Sequence, residues 1–292
     1  MTTLRYKLLG RSGLRVSELA LGTMTFGDDW GWGAPPDEAR LQYEHFRAAG
    51  GNFVDTANNY TNGSAEKIVG QLVAPERGAI VLATKYTIAW RPGDPNASGN
   101  HRKNMVQSVE ASLKRLGTDY LDLLWLHAWD DTTPPAEVMR ALDDLVRAGK
   151  VLHVGVSDTP AWVVWHTTTL AELRGWSPFV ALQVEYSLLQ RTVERELTPM
   201  ARAFDLPVCA WGAVGGGVLT GKHTRGGTPD AKRDTTARRS ERNLAIARAV
   251  DAVADEIGTT STRVALAWLR HQPGAVIPIV GARTAAQLDD AL

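Results

Sequence analysis

The sequence predicts an α/β fold of the closed (β/α)8 kind, and three observations predict it. Short apolar runs recur about every 25 to 35 residues along the 292-residue chain, eight times over. Each is nearly continuous in Val, Ile and Leu, the pattern of parallel strands buried on both faces. Segments of helical period fill the gaps between them.

The elements follow in order. "YKLLGRSGLRVS" reads as a small hairpin turned over 10–13, placed to plug the bottom of the barrel. The barrel strands are "ELALGTM" (18–24), "NFVDT" (52–56), "AIVLATK" (79–85) and "YLDLLWLH" (120–127), then "VLHVGVS" (151–157), "FVALQVEY" (179–186), "LPVCAWG" (206–212) and "AVIPIVG" (275–281). One helix is expected over 101–116, where Met105, Val109, Leu113 and Leu116 share a face and Gly117 closes the end. Another covers 134–148, with Pro134 and Pro135 at its entrance and Gly149 at its exit. The long connections 25–35, 86–100 and 213–240 have no period, and loops of that length in a compact domain are usually functional or disordered. No internal boundary is visible, so a single barrel domain over 1–292 is expected.

Composition narrows the function. With 44% apolar residues the chain can fill one large core. Lys+Arg and Asp+Glu balance at 32 each, which argues against a nucleic-acid or membrane surface and for a small-molecule partner. Cys209 is the sole cysteine, so neither an internal disulfide nor a cysteine-built metal site can form. Its setting, "LPVCAW", reads as a buried small hydrophobe in a reducing cytoplasm. The start "MTTLRYKLLG" lacks the apolar core of a signal peptide and no run has the length of a membrane span, so a soluble cytoplasmic protein, monomer or homo-oligomer, is expected.

The strand ends carry the chemistry. They are Thr23 and Met24, Asp55, Lys85, His127, Ser157 and Asp158, Gln183, Trp211 and Gly212, and Gly281. Barrel enzymes act at this rim, and burying such groups costs several kcal/mol unless they are paired. Alone, Asp55 and Lys85 would serve equally as a structural ion pair, and Trp211 as packing; their convergence is what points to a site. Adjacent strands bring Asp55, Lys85 and His127 together, with Tyr60 on the loop above. An ammonium lowers a neighbouring phenol's pKa, an aspartate keeps that ammonium charged, and a histidine can donate to a carbonyl oxygen. Such a group would polarise a carbonyl and protonate it, with Tyr60 as general acid. Reduction also needs a hydride donor. Trp211 offers an indole face to a nicotinamide, and Ser157 and Gln183 offer hydrogen bonds to its carboxamide. "GGGVLTGK" (215–222) lets backbone approach a pyrophosphate beside Lys222, and "GARTAAQL" (281–288) puts Arg283 at a helix N-terminus suited to phosphate. The tryptophans Trp30, Trp32, Trp90 and Trp129 fall near rim loops and are candidates for an apolar pocket wall. The basic stretch after Thr224 reads as a solvated lid from which Arg225 or Lys232 would reach cofactor phosphates.

"LGTMTFG", "VDTANNYTNGSAEKIVG", "VLATK", "YLDLLWLHAWD", "VGVSD", "LQVEYSLLQR", "AWGAVGGGVLTGK" and "IPIVGARTAAQL" occur in order from Leu4 to Leu288. Together they resemble the aldo-keto reductase family, in its bacterial branch related to the potassium-channel β subunits. The resemblance implies a barrel that binds NADPH or NADP+ in extended form, without a Rossmann domain, and reduces an aldehyde or ketone. By that likeness Asp55, Tyr60, Lys85 and His127 form a catalytic tetrad. Ser157, Asp158 and Gln183 hold the nicotinamide and Trp211 stacks on it. Gly212, Val214, Gly215, Gly217, Leu219 and Lys222 line the phosphate and ribose path, and Arg283 and Gln287 grip the adenosine 2′-phosphate. Thr23, Met24 and Gly281 also face the cofactor.

Three departures from the family pattern stand out. Asp158 replaces the usual Asn; aspartate accepts but does not donate, so weaker or reoriented nicotinamide binding is expected. "WGAV" (211–214) stands where the family has "WSPL", removing a serine contact, and Ala291 stands where an adenine-contacting Asn is common. The chain ends at "QLDDAL", so a short or missing C-terminal tail is expected. Two other functions stay open at this point: a Schiff-base aldolase built on Lys85, and an NADPH-binding redox-sensing subunit with little turnover.

Overall fold

The computed structural model describes residues 3–226 and 236–292. The chain opens with an antiparallel hairpin, β1 (Tyr6–Leu8) and β2 (Arg15–Ser17), in which Lys7 faces Val16. Eight parallel strands then close into a barrel: β3 (Ala20–Gly22), β4 (Phe53–Asp55), β5 (Val81–Tyr86) and β6 (Leu121–Leu126), followed by β7 (Val151–Ser157), β8 (Phe179–Glu185), β9 (Val208–Trp211) and β10 (Val276–Val280). The ring is sealed where β10 pairs with β3, Ile279 opposite Ala20. Each of the eight expected strands is present, and β3 and β9 are the most shortened relative to their apolar runs.

Helices α1 (Pro36–Ala48), α2 (Ser64–Val73), α3 (Arg102–Leu116), α4 (Pro135–Arg147), α5 (Ala161–Arg174), α6 (Leu197–Ala203), α7 (Glu241–Glu256), α8 (Ser261–Arg270) and α9 (Ala285–Asp289) accompany the strands. Local chemistry sets their ends. His101 caps α3 by accepting from the Asn104 backbone N–H, and Gly117 closes it at φ +63. Pro135 occupies the first turn of α4, where a missing N–H costs nothing. The expected inner face of α3, Met105, Val109, Leu113 and Leu116, is buried. No described helix is long and apolar enough to cross a membrane.

The strands bury both faces, as their sequences require. Outward side chains such as Leu82, Leu124 and Val154 pack against helix residues such as Val109 and Leu142. Inward ones, Phe53, Ala83, Leu123, Trp125, Ala181, Cys209 and Ile277, fill the barrel interior. Leu9 and Val16 from the hairpin join this inner cluster, so the hairpin does close the bottom. Gly10 permits the approach: its φ is +55, and a Cβ there would stand 2.5 Å from the Val180 carbonyl oxygen. Cys209 is wholly buried and burial raises its thiol pKa, which makes it a packing residue.

Candidate active site

Side chains alternate along a strand, and that period of two builds the site. Phe53, Ala83, Trp125, Ala181 and Cys209 point into the barrel. Two residues further on, toward the C-terminal ends, come Asp55, Lys85, His127, Gln183 and Trp211. The apolar filling of the barrel is thus topped by a polar layer. Within that layer the first strands are staggered by two residues, Asp55 lying opposite Ala83 and Lys85 opposite Trp125, whereas Ser157 lies directly opposite Gln183.

Lys85 is the hub. Its Nζ donates to Asp55 Oδ2 at 2.5 Å, to the Thr56 carbonyl at 2.8 Å and to the Tyr60 hydroxyl at 3.2 Å. Asp55 accepts on its other oxygen, Oδ1, from Gln183 Nε2 at 3.0 Å. The Asp55 carbonyl receives both the backbone N–H and the hydroxyl of Thr23, pinning the end of β4. Tyr60 sits on a short 3-10 turn in which Thr61 and Asn62 adopt left-handed backbone, φ +43 and +54. Thr61 holds that strained turn by donating to the Phe26 carbonyl and accepting from the Ala65 N–H. His127 meets the Tyr60 ring edge-on, with centroids 6.2 Å apart. Its Nδ1 is buried and, among the described residues, has no hydrogen-bond partner.

Electrostatics fix the protonation states. Burial pulls the Lys85 ammonium down, but the Asp55 carboxylate and Tyr60 outweigh it and leave the pKa above its ordinary value. Lys85 therefore stays charged, which removes the basis for a nucleophilic Schiff-base lysine. Burial raises the Tyr60 pKa; the Lys85 charge pulls it back but does not reverse the rise. This corrects the expectation of a net more acidic phenol: the ammonium acts in the expected direction and desolvation exceeds it. Burial, reinforced by Lys85, pushes His127 down to about 3, so its imidazole is neutral and presents one N–H.

The expected cofactor residues differ in where the structure puts their side chains. Trp211 donates from Nε1 to Asp158 Oδ1 at 3.2 Å. Ser157 Oγ is buried and, among the described residues, has no partner. Gly212, Gly215 and Gly217 all take positive φ, and a Cβ on Gly217 (φ +93) would stand 2.5 Å from Lys222 Nζ. Val214 starts this turn, its carbonyl accepting from the Gly217 and Leu219 N–H groups. The Leu219 side chain is wholly buried with Val218, Ala247, Val250 and Ala265, which leaves its backbone alone to line the path. Arg283 precedes Thr284, the N-cap of α9, and its backbone N–H is held by Gln287 Oε1 at 3.0 Å. Gln287 thus also steadies the start of α9. Gly281 approaches the Gly22 carbonyl across the β10–β3 seam. Met24, just beyond β3, is half-buried.

Arg225 pairs with Asp251 and Asp255 of α7, which anchors its loop and turns the guanidinium from a phosphate role. Lys232 lies outside the described residues. Of the four tryptophans, Trp30 and Trp32 pack together at 5.8 Å, and the Trp129 N–H reaches the Asp158 carbonyl at 3.5 Å. Trp90 donates to Asn104 on α3 at 3.0 Å and lies under Arg91, so it supports the helix. A hollow at the opposite end of the barrel, lined by Arg11, His153, Thr168 and Phe204 among others, touches none of the expected site residues.

Sequence reasoning missed two contacts. One is the Gln183–Asp55 hydrogen bond, which the period of two could have found because both residues are inward at the same level. The other is Glu185, which pairs with Arg238 at 2.5 Å and stands against Gly212; nothing local marks Arg238 as its partner.

Comparison with known proteins identifies the family. A model of the aldo/keto reductase family matches residues 18–292. A norsolorinic acid reductase of Emericella nidulans, stcV, is 39% identical over 288 residues, covering 95% of this chain and 74% of the relative. The aldo-keto reductase ausK of Aspergillus calidoustus is 36% identical over 303 residues, covering 98% of this chain and 76% of the relative. An NADP(+) aryl-alcohol dehydrogenase of Phanerodontia chrysosporium is 36% identical over 299 residues, with coverage of 94% and 77%.

Proposed function

The chain belongs to the aldo/keto reductase family, and on that premise we propose that it is an NADPH-dependent reductase of aldehydes or ketones with Tyr60 as general acid. The observation that carries the reading is the hydrogen-bonded series Gln183–Asp55–Lys85–Tyr60, closed by a neutral His127. The groove fits a nicotinamide dinucleotide. Ser157 Oγ is a buried polar atom without a partner among the described residues, and Gly217 takes a left-handed backbone, φ +93, that would strain any side chain beside Lys222. When bound, the dinucleotide supplies the hydride.

The protein's own groups do the rest. A neutral His127 donates a hydrogen bond to the substrate oxygen without competing for the proton. Tyr60, kept protonated at neutral pH by its burial, gives its proton to that oxygen as negative charge develops. Lys85 stabilises the phenolate so formed, and Asp55 holds Lys85 charged and in line. Ser157, Asp158 and Gln183 orient the carboxamide, and Trp211 supports the ring face. Lys222 and Arg283 would receive phosphate, which favours NADPH over NADH.

Relatives named as acting on aryl alcohols and norsolorinic acid support an aromatic carbonyl as the substrate class, with Trp30, Trp32 and Trp129 as candidate walls. They also favour a turning-over enzyme over a redox-sensing subunit. The placement beside the potassium-channel β subunits rests on motifs alone and belongs to this proposal, as does the single-domain reading. The test is direct: purified protein, NADPH and an aromatic aldehyde, followed by cofactor absorbance and product analysis. Alcohol formed in step with cofactor oxidation supports the proposal. Tight NADPH binding without turnover on any aldehyde or ketone would favour the sensing role instead.

A further inference from the structure

Asp158 stands directly after β7, at the mouth of the barrel, where the proposed function seats the nicotinamide. Its backbone is left-handed, φ +39, a conformation that Asp and Asn tolerate better than other side chains. Its carboxylate is held by one described side-chain hydrogen bond, from Trp211 Nε1. Unlike the buried Asp55 and Lys85, it is exposed.

The charges around it are matched except for its own. Lys85 is paired with Asp55, and Glu185 is paired with Arg238. Tyr60 and His127 are neutral near pH 7. Asp158 makes no ion pair among the described residues. The neighbours that act on it are Trp211, Glu185 and Lys85, and it in turn acts on Tyr60. Around the seat of the ring, one carboxylate is therefore uncompensated.

The two redox forms of the dinucleotide differ there and nowhere else in charge: the oxidised ring is a cation and the reduced ring is neutral. We propose that Asp158 is a specificity-determining residue for cofactor redox state, its carboxylate favouring NADP+ over NADPH. The inference rests on the nicotinamide reading of the groove. An asparagine at the same position would keep the left-handed turn and the acceptor for Trp211 but carry no charge. A carboxylate a few ångströms from the ring, partly screened by groove water, should change the ratio of the two affinities by about tenfold.

The preference should titrate. Enclosure by protein pushes the Asp158 carboxyl up to about 6, with Glu185 adding to the rise and Trp211 and Lys85 opposing it. Water in the open groove offsets part of that push. Below this range the carboxyl is protonated, the anion is gone and the preference for NADP+ fades. Above it the preference is full.

The experiment is tryptophan-fluorescence titration of wild type and Asp158→Asn with NADP+ and with NADPH, from about pH 5 to pH 8. We expect wild type at the upper pH to show an affinity ratio, NADP+ over NADPH, about tenfold higher than the variant. That ratio should fall toward the variant's at the lower pH, while the variant's stays flat. Equal, pH-independent ratios in the two proteins would overturn the inference and leave the nicotinamide site intact. Failure of wild type to bind either form would overturn the site reading and the inference with it. If the variant does not fold, the pH dependence of the wild-type ratio decides alone.

Discussion

Two buried ion pairs sit near opposite ends of the barrel, and they differ in what surrounds them. At the base, Asp122 at the start of β6 pairs with Arg77 at 2.7 Å and accepts from the Leu82 N–H. Arg77 donates in turn to the carbonyls of Ile80 and Tyr120 and to Thr118 Oγ1. That pair ties strand starts together. At the rim, Asp55 and Lys85 are more deeply buried still, but close by stand His127 Nδ1 and Ser157 Oγ, buried and without partners among the described residues. A satisfied buried pair maintains the fold; one flanked by unsatisfied polar atoms is poised for a ligand. Between these two pairs, the difference in saturation, not the presence of a charge pair, separates scaffold from site.

Substitutions can break or sharpen that contrast. The largest effect should come from Lys85→Met, which removes the charge that stabilises phenolate; kcat should fall by about a thousandfold or more, read by steady-state kinetics, with the fold retained by circular dichroism. Asp122→Ala at the base should do the reverse. It leaves Arg77 uncompensated and should lower unfolding free energy by about 3–5 kcal/mol, seen in urea titration, while kcat per folded molecule stays unchanged. If kcat dropped in parallel, the division between the two ends would be wrong.

The third effect is pH-dependent. His127 is held near 3, below its ordinary 6.5, so unfolding lets it take up a proton at mildly acid pH. Stability should consequently fall as pH drops from about 6.5 toward 3, by roughly 3–4 kcal/mol through this group. In His127→Gln that part of the slope should vanish, as urea titrations of both proteins across this range would reveal. The smallest effect belongs to Gly217→Ala, which forces a Cβ onto a left-handed backbone beside Lys222. Strain of about 1–2 kcal/mol should weaken NADPH affinity by about tenfold, measured by fluorescence quenching.

The fold was legible because a closed parallel barrel writes itself locally: eight apolar runs, helical segments between them, and Gly10 at the hairpin. The relay was legible for the same reason, since Asp55, Tyr60, Lys85 and His127 sit at strand ends or just beyond. What escaped depended on tertiary context. Leu219 lies in a glycine-rich stretch but is drawn into a satellite core by α7 and α8 residues remote in sequence. Gln287 looked free and became part of a helix cap. The Tyr60 pKa needed the balance of burial against Lys85, and a sequence supplies the second without the first. Nothing local marks Asp251 and Asp255 as partners of Arg225, because they lie on a helix well beyond it in the chain.

The central claim is that Tyr60 donates the proton in a groove that holds NADPH. The most direct measurement is a single turnover: wild type and Tyr60→Phe, each preloaded with NADPH, mixed rapidly with an aromatic aldehyde. The account predicts equal NADPH quenching in both proteins and cofactor oxidation slowed about a thousandfold or more in the variant. Oxidation at the wild-type rate in the variant would contradict it.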